Sequence, residues 1–376
     1  MKKIIGMLLQ LFFGLFPIQE NKILFETVNG EVKDHLKAVY DYCNENQIKD
    51  FQFKWVLTKG NDASQIKEDE IVYRKTFGYY YHLMTSKYWI RTHSVSNIVN
   101  KRKEQIYIQL WHSPGATKKE GFDMEGVERT GEPIFHAKEW DYFIATDEIN
   151  AAYIKSATDI KIPRLVLGSC RTDAIVNVDK EKARSIREQM GVSPEEKLVL
   201  YAPTFREKDF DREVIDLDIK ELCKLEGVRV ILRLHPQVKN RMDITAYDAS
   251  VIDGNKYTDI FDLYYAADIL ITDYSSLCIE YALLNKPILY YMYDLEDYLD
   301  ERGFYFNFLD HLSGPIIQTE DKLIEAVQNI EQVMAEYADQ YKAFQERYNS
   351  HNDGHVTERF VTMLQQGYFK ERKESE

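Results

Sequence analysis

The sequence predicts an α/β protein made of two similar halves, each with a parallel β-sheet covered by helices. Short apolar runs alternate with helical patterns from residue 22 onward, as in chains whose parallel strands are joined by helical crossovers. The alternation occurs twice, with a polar helical stretch between the two series. The length of 376 residues also exceeds the roughly 250–300 residues at which one hydrophobic core stops growing.

The apolar runs define the elements of each half. The strands expected in the first half are 23–26, 51–57, 106–111, 142–145 and 165–167, with helices at 33–43 and 149–156. Those expected in the second half are 198–202, 228–234, 269–272 and 288–291, with helices at 215–224, 260–266 and 276–284. The polar helix between the halves covers 178–191, and the tail should contain one long helix ending near 347 and another at 357–366.

These patterns also place the domain boundaries. We expect an amphipathic helix over 1–19, an α/β domain over 20–185, a second over 186–345, and a helical tail over 346–376. In open α/β sheets, ligands bind beyond the carboxyl ends of the strands. The residues that follow each strand are therefore the first candidates for a functional site.

The N-terminal segment is apolar from residue 4 to residue 16, which is shorter than the about 20 residues of a membrane-spanning helix. Its interruptions share one helical face, and they are Lys3, Gly6, Gln10, Gly14 and Pro17. A signal peptide is disfavoured, since the small-residue cleavage site is weak and a strand follows at once. A helix packed on the protein's own core and a helix in a membrane interface both fit. We favour the interface because lysines flank the apolar run.

Composition excludes several classes of function. The chain has 48 Lys and Arg against 62 Asp and Glu, a net charge of −14, whereas binding of nucleic acid requires a basic surface. The cysteines are far apart in the sequence, which argues against a disulfide scaffold or structural zinc site and favours the cytoplasm; they are Cys43, Cys170, Cys223 and Cys278. No His and Asp cluster has the spacing of metal ligands, so we expect no bound metal.

The first strand end with candidate chemistry is Trp111-His112, followed by a loop that contains Gly115 and Lys118-Lys119. Histidine is suited to general-base catalysis because its pKa lies near neutrality. Small residues let backbone N–H groups approach an anion, and lysines add positive charge. Taken alone, the motif fits equally well a His112 that only satisfies backbone groups, beside solvated lysines.

Two strand ends in the second half carry cationic groups. Thr204 and Arg206 follow the first strand, and arginine suits bidentate phosphate contact, although a solvated loop arginine would look the same. Arg233 and His235 share one face of the next strand, because alternate residues of a strand point the same way. Burying both is costly without an anion. An internal carboxylate could supply it, but we favour a phosphate because Pro236 then ends the strand at the ligand edge.

A further strand end runs through Thr272, Asp273, Ser275 and Ser276 into a helix that carries Glu280. A helix N-terminus has unpaired N–H groups and a partial positive charge, so either serine could cap the helix or bind phosphate oxygens. Glu280 could accept hydrogen bonds from ribose hydroxyls, or it is an ordinary first-turn acid. The aromatic and acidic stretch 290–306 could line an acceptor site or form an amphipathic surface segment.

In this order, the motifs resemble the CDP-glycerol glycerophosphotransferase family of teichoic acid synthesis, over residues 23 to about 369. The residues that carry the resemblance are Trp111-His112, Lys118-Lys119, Tyr201-Ala202-Pro203-Thr204 with Arg206, Arg233 with His235-Pro236, Thr272-Asp273-Tyr274-Ser275-Ser276, Asp294-Leu295-Glu296-Asp297-Tyr298, Arg302-Gly303-Phe304, and Asp353-Gly354 with Glu358-Arg359. Two positions depart from the family pattern. Ser113 stands where a glycine is frequent, and Cys170 stands at a proline position in the element that contains Arg171 and Asp173.

The resemblance implies a GT-B type fold, with two Rossmann-like domains whose parallel sheets face a central cleft. The first domain would bind the acceptor and the second the CDP donor. The implied reaction moves a polyol phosphate from CDP-glycerol or CDP-ribitol to a hydroxyl of a lipid-linked saccharide acceptor and releases CMP, without a metal or other cofactor. It implies a peripheral protein at the cytoplasmic face of the membrane, and the compact chain favours primase-like addition. The choice of polyol, the acceptor and the oligomeric state stay open.

The resemblance also assigns roles to residues. His112 is the implied general base on the acceptor alcohol, and His235, with Arg233, would stabilise the charge that develops on the leaving CMP. The implied substrate-binding residues are Gly115, Lys118, Thr204, Arg206, Arg233, Thr272, Asp273, Ser275, Ser276 and Glu280, with Arg171, Asp173 and Arg302 as further candidates.

Two alternative functions remain compatible with the sequence. A nucleotide-sugar glycosyltransferase or epimerase of the same fold would share the helix N-terminus and Glu280, but would not require His112 and His235. A non-catalytic relative acting as a scaffold would tolerate the loss of His112.

Overall fold

The computed structural model describes residues 2–94, 98–112, 119–124, 126–127, 134, 137–204, 206, 215–235, 238, 241–301 and 308–371. The strands in these parts of the chain are β1 (Gln19–Glu26), β2 (Gln52–Leu57), β3 (Ile71–Tyr73), β4 (Ser86–Arg91), β5 (Ile106–Gln109), β6 (Tyr142–Ala145), β7 (Arg164–Val166), β8 (Lys197–Tyr201), β9 (Val228–Leu232), β10 (Val251–Asp253), β11 (Ile269–Thr272), β12 (Ile288–Tyr291) and β13 (Ile316–Ile317).

The helices connect and cover these strands. They are α1 (Lys2–Phe13), α2 (Asp34–Glu45), α3 (Phe77–Thr85), α4 (Glu148–Thr158), α5 (Asp173–Val176), α6 (Lys180–Gln189), α7 (Ile219–Cys223), α8 (Ile260–Ala266), α9 (Leu277–Tyr281), α10 (Leu295–Glu301), α11 (Glu320–Gln328), α12 (Ile330–Glu336), α13 (Ala338–Tyr348) and α14 (Val356–Gln365).

The strands form two parallel sheets with the same strand order. The first sheet runs β3-β2-β1-β4-β5-β6-β7 and the second runs β10-β9-β8-β11-β12-β13, and the strand pairs in both are parallel. Each order reverses beside the sheet's first strand, which is the Rossmann arrangement and creates a ligand-binding position at the carboxyl ends. The predicted α/β class with two Rossmann-like parallel sheets is therefore confirmed.

The two compact units differ in their boundaries from the predicted domains. The first unit contains residues 1–174 and 351–376, and the second contains residues 175–350. The last helix therefore belongs to the first unit instead of forming a separate tail. Its apolar residues are the physical reason, since Val356, Phe360 and Leu364 lie in the same buried core as Ile23 of β1.

Several elements were absent from the sequence prediction or differ from it. Strands β3, β4, β10 and β13 were not predicted, and β4 is central to the first sheet. The predicted long tail helix is divided into α11, α12 and α13, with breaks at Asn329 and Tyr337. The backbone angles of Asn329 (φ −103°, ψ 30°) and Tyr337 (φ −97°, ψ 12°) lie outside the α-helical range, so the helix ends and restarts at each of them.

The first helix packs on the protein through its small and polar side and through the buried Phe13, whose ring lies 6.3 Å from the rings of Phe77 and Tyr81. An added Cβ at Gly6 would lie 1.9 Å from the carbonyl oxygen of Ile98, and the amide of Asn100 donates to the Gln10 side chain at 3.1 Å. The opposite side consists of exposed apolar residues: Ile4, Ile5, Met7, Leu8, Leu11, Phe12 and Leu15. Across the residues described, no helix is both long enough and apolar enough to cross a membrane.

Candidate functional site

The first cluster lies at the carboxyl edge of the first sheet. Strands β1, β4 and β5 are hydrogen-bonded neighbours there. Glu26 ends β1 and Arg91 ends β4, and the two fully buried side chains form an ion pair of 2.6 Å. A buried pair of this kind leaves a destabilising unpaired charge if either partner is lost. It therefore holds the two strand ends together at the point where the strand order reverses.

His112 follows β5 at this edge, and an unusual backbone conformation precedes it. Trp111 has φ of +58°, in the left-handed region that side-chain-bearing residues rarely occupy. Its side chain is almost fully buried, with 4% exposed, and its amide donates to the Gln109 side chain at 3.1 Å. The turn is held by burial and hydrogen bonding, and the His112 ring packs against the Trp111 indole, with centroids 4.7 Å apart, while one part of the residue stays open to solvent.

His112 contacts a second histidine that the sequence prediction did not include. The Nδ1 atoms of His93 and His112 lie 3.0 Å apart, and the rings meet edge to face with centroids 4.4 Å apart. His93 follows β4, the strand that was not predicted. Its ring is also nearly parallel to the indole of Trp111, at 5.9 Å.

The environment favours the neutral form of His112. The loss of surrounding water, together with nearby His93, lowers the pKa of His112 to about 4, below the ordinary value near 6.5. Burial likewise lowers the pKa of the adjacent His35 to about 3. A neutral imidazole has a free lone pair on one ring nitrogen, so His112 can accept a proton at neutral pH.

Arg171 and Asp173, the two additional candidates in the first unit, have structural partners. Arg171 forms an ion pair of 2.7 Å with Asp34, which lies at the start of α2. Asp173 accepts hydrogen bonds from the backbone amides of Val356 at 3.1 Å and Thr357 at 2.7 Å. Asp173 thus caps the N-terminus of α14. These contacts account for both residues without a ligand, and their roles in substrate binding stay predictions.

The C-terminal signature has a similar structural function. Arg359 donates to both carboxylate oxygens of Asp353, at 2.8 and 2.7 Å. It also donates to the carbonyl oxygens of Leu167 and His351. Gly168 has φ of +97°, and a Cβ there would lie 2.6 Å from the His351 carbonyl oxygen. These contacts join the chain after β7 to the start of α14.

In the second unit, the predicted residues converge on one carboxylate. The backbone amide of Thr204, after β8, lies 3.0 Å from either oxygen of Asp273, after β11, and its hydroxyl also donates to Asp273. The guanidinium of Arg206 forms an ion pair of 2.9 Å with the same carboxylate. The sheet order makes β8 and β11 neighbours. Asp273 therefore connects the two strand ends at the reversal point of this sheet.

Arg206 is held by more than Asp273. Its Nε and Nη2 donate to Asp294 at 2.6 and 3.0 Å, and its side chain is 9% exposed. It lies over the rings of Tyr274 and Tyr298, which stack with centroids 3.6 Å apart. Two carboxylates and two aromatic faces already satisfy this guanidinium. A phosphate could bind it only by displacing or sharing these partners.

Arg233 and Thr272 also have partners within the protein. Arg233 donates to the carbonyl oxygens of Gly254 and Tyr257, at 2.7 and 2.8 Å. The buried Thr272 hydroxyl donates to the Ala202 carbonyl at 2.8 Å. Glu280 is 1% exposed, so a ribose hydroxyl could contact it only after a rearrangement. For these three residues, ligand binding stays a prediction.

Other predicted residues remain accessible at the same sheet edge. Ser275, Ser276, Thr204 and His235 are partly exposed, and they follow β11, β8 and β9, which are adjacent strands. The Ser276 side chain makes no capping hydrogen bond to α9. Gly115, Lys118 and Arg302 lie outside the described residues.

The sequence prediction missed His93 and Asp34, and it named Tyr274 within a recognised motif without assigning it a role. Asp294 and Tyr298 were part of a recognised motif but had no assigned role. Among the residues that the structure describes, no group of three His, Cys, Asp or Glu side chains could hold a metal ion. The absence of a metal from the reaction stays a prediction.

Comparisons with known proteins agree with this arrangement. Residues 8–366 match the family described as CDP-Glycerol:Poly(glycerophosphate) glycerophosphotransferase. A teichoic acid poly(glycerol phosphate) polymerase of Bacillus spizizenii (strain ATCC 23059 / NRRL B-14472 / W23) is 31% identical over 334 residues, covering 84% of each chain. A teichoic acid glycerol-phosphate primase of Bacillus subtilis (strain 168) is 32% identical over 293 residues, covering 75% of this chain and 73% of the primase.

A solved structure shows the same fold. A variant of the wall teichoic acid polymerase TagF superimposes with a TM-score of 0.87 and 26% sequence identity, covering 97% of this chain and 93% of that one. The match to the family extends over nearly the whole chain, including both sheets and the strand ends described above. The chain therefore belongs to the CDP-glycerol:poly(glycerophosphate) glycerophosphotransferase family, which confirms the predicted family and its glycerophosphotransferase activity.

Proposed function

We propose that this enzyme transfers a polyol phosphate from its CDP-activated form to a hydroxyl group of a lipid-linked saccharide, with His112 as the general base. The observation that carries the proposal is the position of His112. It follows a strand at the carboxyl edge of the first sheet, on a rigid turn, with its proton-accepting form favoured at neutral pH. A general base needs that protonation state before substrate binds.

The chemical step would proceed by displacement at phosphorus. The acceptor oxygen forms a bond to the phosphorus that carries the polyol, and the bond from that phosphorus to the bridging oxygen of the CDP group breaks. The acceptor's proton moves to His112, and CMP leaves with the bridging oxygen. The developing charge on CMP needs positioned donors, because preorganised dipoles stabilise such charge most effectively.

We assign donor binding to the carboxyl edge of the second sheet. Ser275 and Ser276 are partly exposed there, and the Ser275 hydroxyl accepts from the Leu277 amide at the start of α9, at 3.4 Å. His235 and Thr204 are partly exposed on the neighbouring strand ends. The cluster of Arg206 with two carboxylates would hold the Thr204 turn in position. In this proposal Asp273 and Arg206 hold the surrounding turns in place, and the partly exposed side chains beside them contact the phosphate.

The relatives include both a glycerol-phosphate primase and a poly(glycerol phosphate) polymerase, so they do not separate single addition from chain growth. We propose addition of a single unit, as expected from the sequence, and the names of these two relatives favour glycerol as the polyol. The test is an assay with CDP-glycerol and CDP-ribitol against a lipid-linked disaccharide, with CMP release followed over time and product length read by mass spectrometry. Release of CMP with one added glycerol phosphate is expected. Turnover of only UDP-sugars would overturn the proposal, and long products would overturn single addition. Addition of EDTA should leave the rate unchanged if no metal takes part.

We also propose that α1 lies in the membrane interface, as a peripheral anchor at the cytoplasmic face. Its small and polar side already packs against Ile98 and Asn100. Its apolar side is therefore turned outward, and Leu15 beyond it is 82% exposed. Exposed apolar surface of this extent on one helix is typical of a membrane or partner contact. A lipid-linked acceptor lies in the membrane, so an enzyme that uses it has to work at the membrane surface.

Flotation with phosphatidylglycerol vesicles tests the anchor. Deletion of residues 1–17, or the double change Leu8→Glu with Leu11→Glu, should move the protein from the vesicle fraction to the free fraction. Tyr368→Glu is the matched control, because Tyr368 is 49% exposed but lies outside α1, and it should stay with the vesicles. Unchanged binding of the deletion variant would overturn the assignment.

A further inference from the structure

The pairing of His93 with His112 points to a role for His93 in catalysis. β4 and β5 run parallel, with Arg91 opposite Gln109. His93 therefore follows one strand end and His112 follows its neighbour, which brings the two Nδ1 atoms to 3.0 Å. This distance fits a hydrogen bond between ring nitrogens.

Only one proton can lie between the two Nδ1 atoms, so one ring donates and the other accepts. If His93 donates, the proton of neutral His112 is on Nε2, and His112 has no free lone pair for an incoming hydroxyl. If His112 donates, its Nε2 is unprotonated and can act as a base. The Thr92 carbonyl also lies within reach of the His112 ring, so the ring nitrogen of His112 that carries the proton is set by this carbonyl together with His93, and it decides whether His112 is competent.

The His93–His112 pair packs on the side chain of Trp111. The ring of His93 lies 5.9 Å from the Trp111 indole, with 26° between the planes, and Trp111 is nearly buried. The indole in turn packs edge to face on the buried Trp140, at 5.8 Å. His93 is therefore held against one face of the turn that presents His112, and its distance to His112 depends on packing as well as on the hydrogen bond.

Apart from Glu120, the ionisable groups near the pair contribute little net charge. Asp34 and Arg171 neutralise each other in an ion pair of 2.7 Å. Burial lowers the pKa of His35 to about 3, so it is neutral at working pH. Burial raises the pKa of Glu120, which lies close to the Trp111 indole, to about 7, so this carboxyl is partly ionised at neutral pH. His93 is thus the group best placed to respond when His112 gains a proton.

We propose that His93 is a positioning residue, which accepts a hydrogen bond from Nδ1–H of His112 and keeps the Nε2 lone pair of His112 directed to the acceptor hydroxyl. In the reaction the hydroxyl proton moves to Nε2 of His112. The Nδ1 proton stays on His112 and remains hydrogen-bonded to His93, so no proton is transferred to His93. The role resembles that of a carboxylate beside a catalytic histidine, but with a neutral acceptor. It rests on the proposed function of His112.

The experiment compares wild-type enzyme with His93→Ala, His93→Gln and His93→Asp, using kcat and the pH profile of kcat/KM for CMP release. His93→Ala should lower kcat by about 10- to 100-fold, part of the usual contribution of a general base. His93→Gln keeps an acceptor oxygen and should recover most of the rate. His93→Asp supplies a negative acceptor, which raises the pKa of His112, so the acidic limb of the profile should move to higher pH.

His355→Ala is the matched control, because His355 is an exposed histidine paired with Glu358. It should leave both the rate and the profile unchanged. Near-UV circular dichroism verifies folding, and if His93→Ala does not fold, the Gln and Asp variants carry the comparison. A wild-type rate and profile in His93→Ala would overturn the inference. So would a loss of activity that neither Gln nor Asp recovers, with no shift of the acidic limb.

A second readout is independent of turnover. The ¹⁵N chemical shifts of labelled histidine should show protonated Nδ1 and unprotonated Nε2 for His112 at pH 7, and a mixture of tautomers in His93→Ala. Protonated Nε2 in the wild type would overturn the inference. Failure of the wild type to release CMP would refute the proposed function instead, and the ¹⁵N shifts would still decide the direction of the hydrogen bond.

Discussion

The substitution Asp173→Ala separates a structural role from a ligand role at a residue where the resemblance implied substrate binding. The Asp173 carboxylate accepts from two backbone amides at the start of α14, those of Val356 and Thr357. The first N–H groups of a helix have no partner within the helix. Removal of such a cap costs about 0.5–2 kcal/mol, and two bonds to an ionised group place this case near the upper end.

A loss of about 1–2 kcal/mol corresponds to roughly a 5- to 30-fold change in a local opening equilibrium. We therefore expect the amide protons in the first turn of α14 to exchange faster by this factor in Asp173→Ala, while the KM for CDP-glycerol stays unchanged. Hydrogen exchange read by mass spectrometry is the assay. Asp179→Ala removes a cap from α6 in the second unit and should leave α14 unaffected. Unchanged exchange in α14 with a tenfold higher KM would refute the structural role.

Three other predictions follow from the same contacts. Gly168→Ala places a Cβ 2.6 Å from the His351 carbonyl oxygen, at a residue whose φ is +97°. It should lower the free energy of unfolding of the first unit by about 1–3 kcal/mol, and an unchanged urea midpoint would contradict this. Asp294→Asn removes the charge that two Arg206 donors contact and should lower the free energy of unfolding of the second unit by about 1–3 kcal/mol. The measurement is the thermal midpoint, which should fall; an unaltered midpoint would argue against this prediction. The pKa of His112 is lowered to about 4, so the basic form persists as pH falls below 6.5 and is lost only near 4; an acidic limb of kcat/KM at 6.5 or higher would be inconsistent with this.

Much of the fold follows from local patterns. The strands 142–145, 269–272 and 288–291 were predicted with the same bounds that the structure shows, because apolar runs bounded by polar turns are unambiguous there. Strand β4 was not found, since α3 ends at Thr85 and β4 begins at Ser86. Without a glycine, proline or asparagine between them, the sequence contains no signal that one element ends and the next begins.

The candidate site was predicted in part for the same reason. His112 follows a recognisable strand, whereas His93 follows the unrecognised β4, so their pairing could not be anticipated. The partners of Arg171 and Asp173 are long-range contacts: Asp34 lies 137 residues before Arg171, and Val356 lies 183 residues after Asp173. Motif residues that bind phosphate and motif residues that hold the fold look alike in a sequence, because both present charge at strand ends.

The most direct test of the central claim is the rate of CMP release from CDP-glycerol, with a lipid-linked disaccharide acceptor, for wild-type enzyme and His112→Ala. If His112 is the general base, the substitution should lower kcat by about 10²-fold or more. Circular dichroism and the KM for CDP-glycerol should change little, because His112 does not belong to the hydrophobic core of the first unit. A His112→Ala enzyme that folds normally and releases CMP at the wild-type rate would contradict the claim.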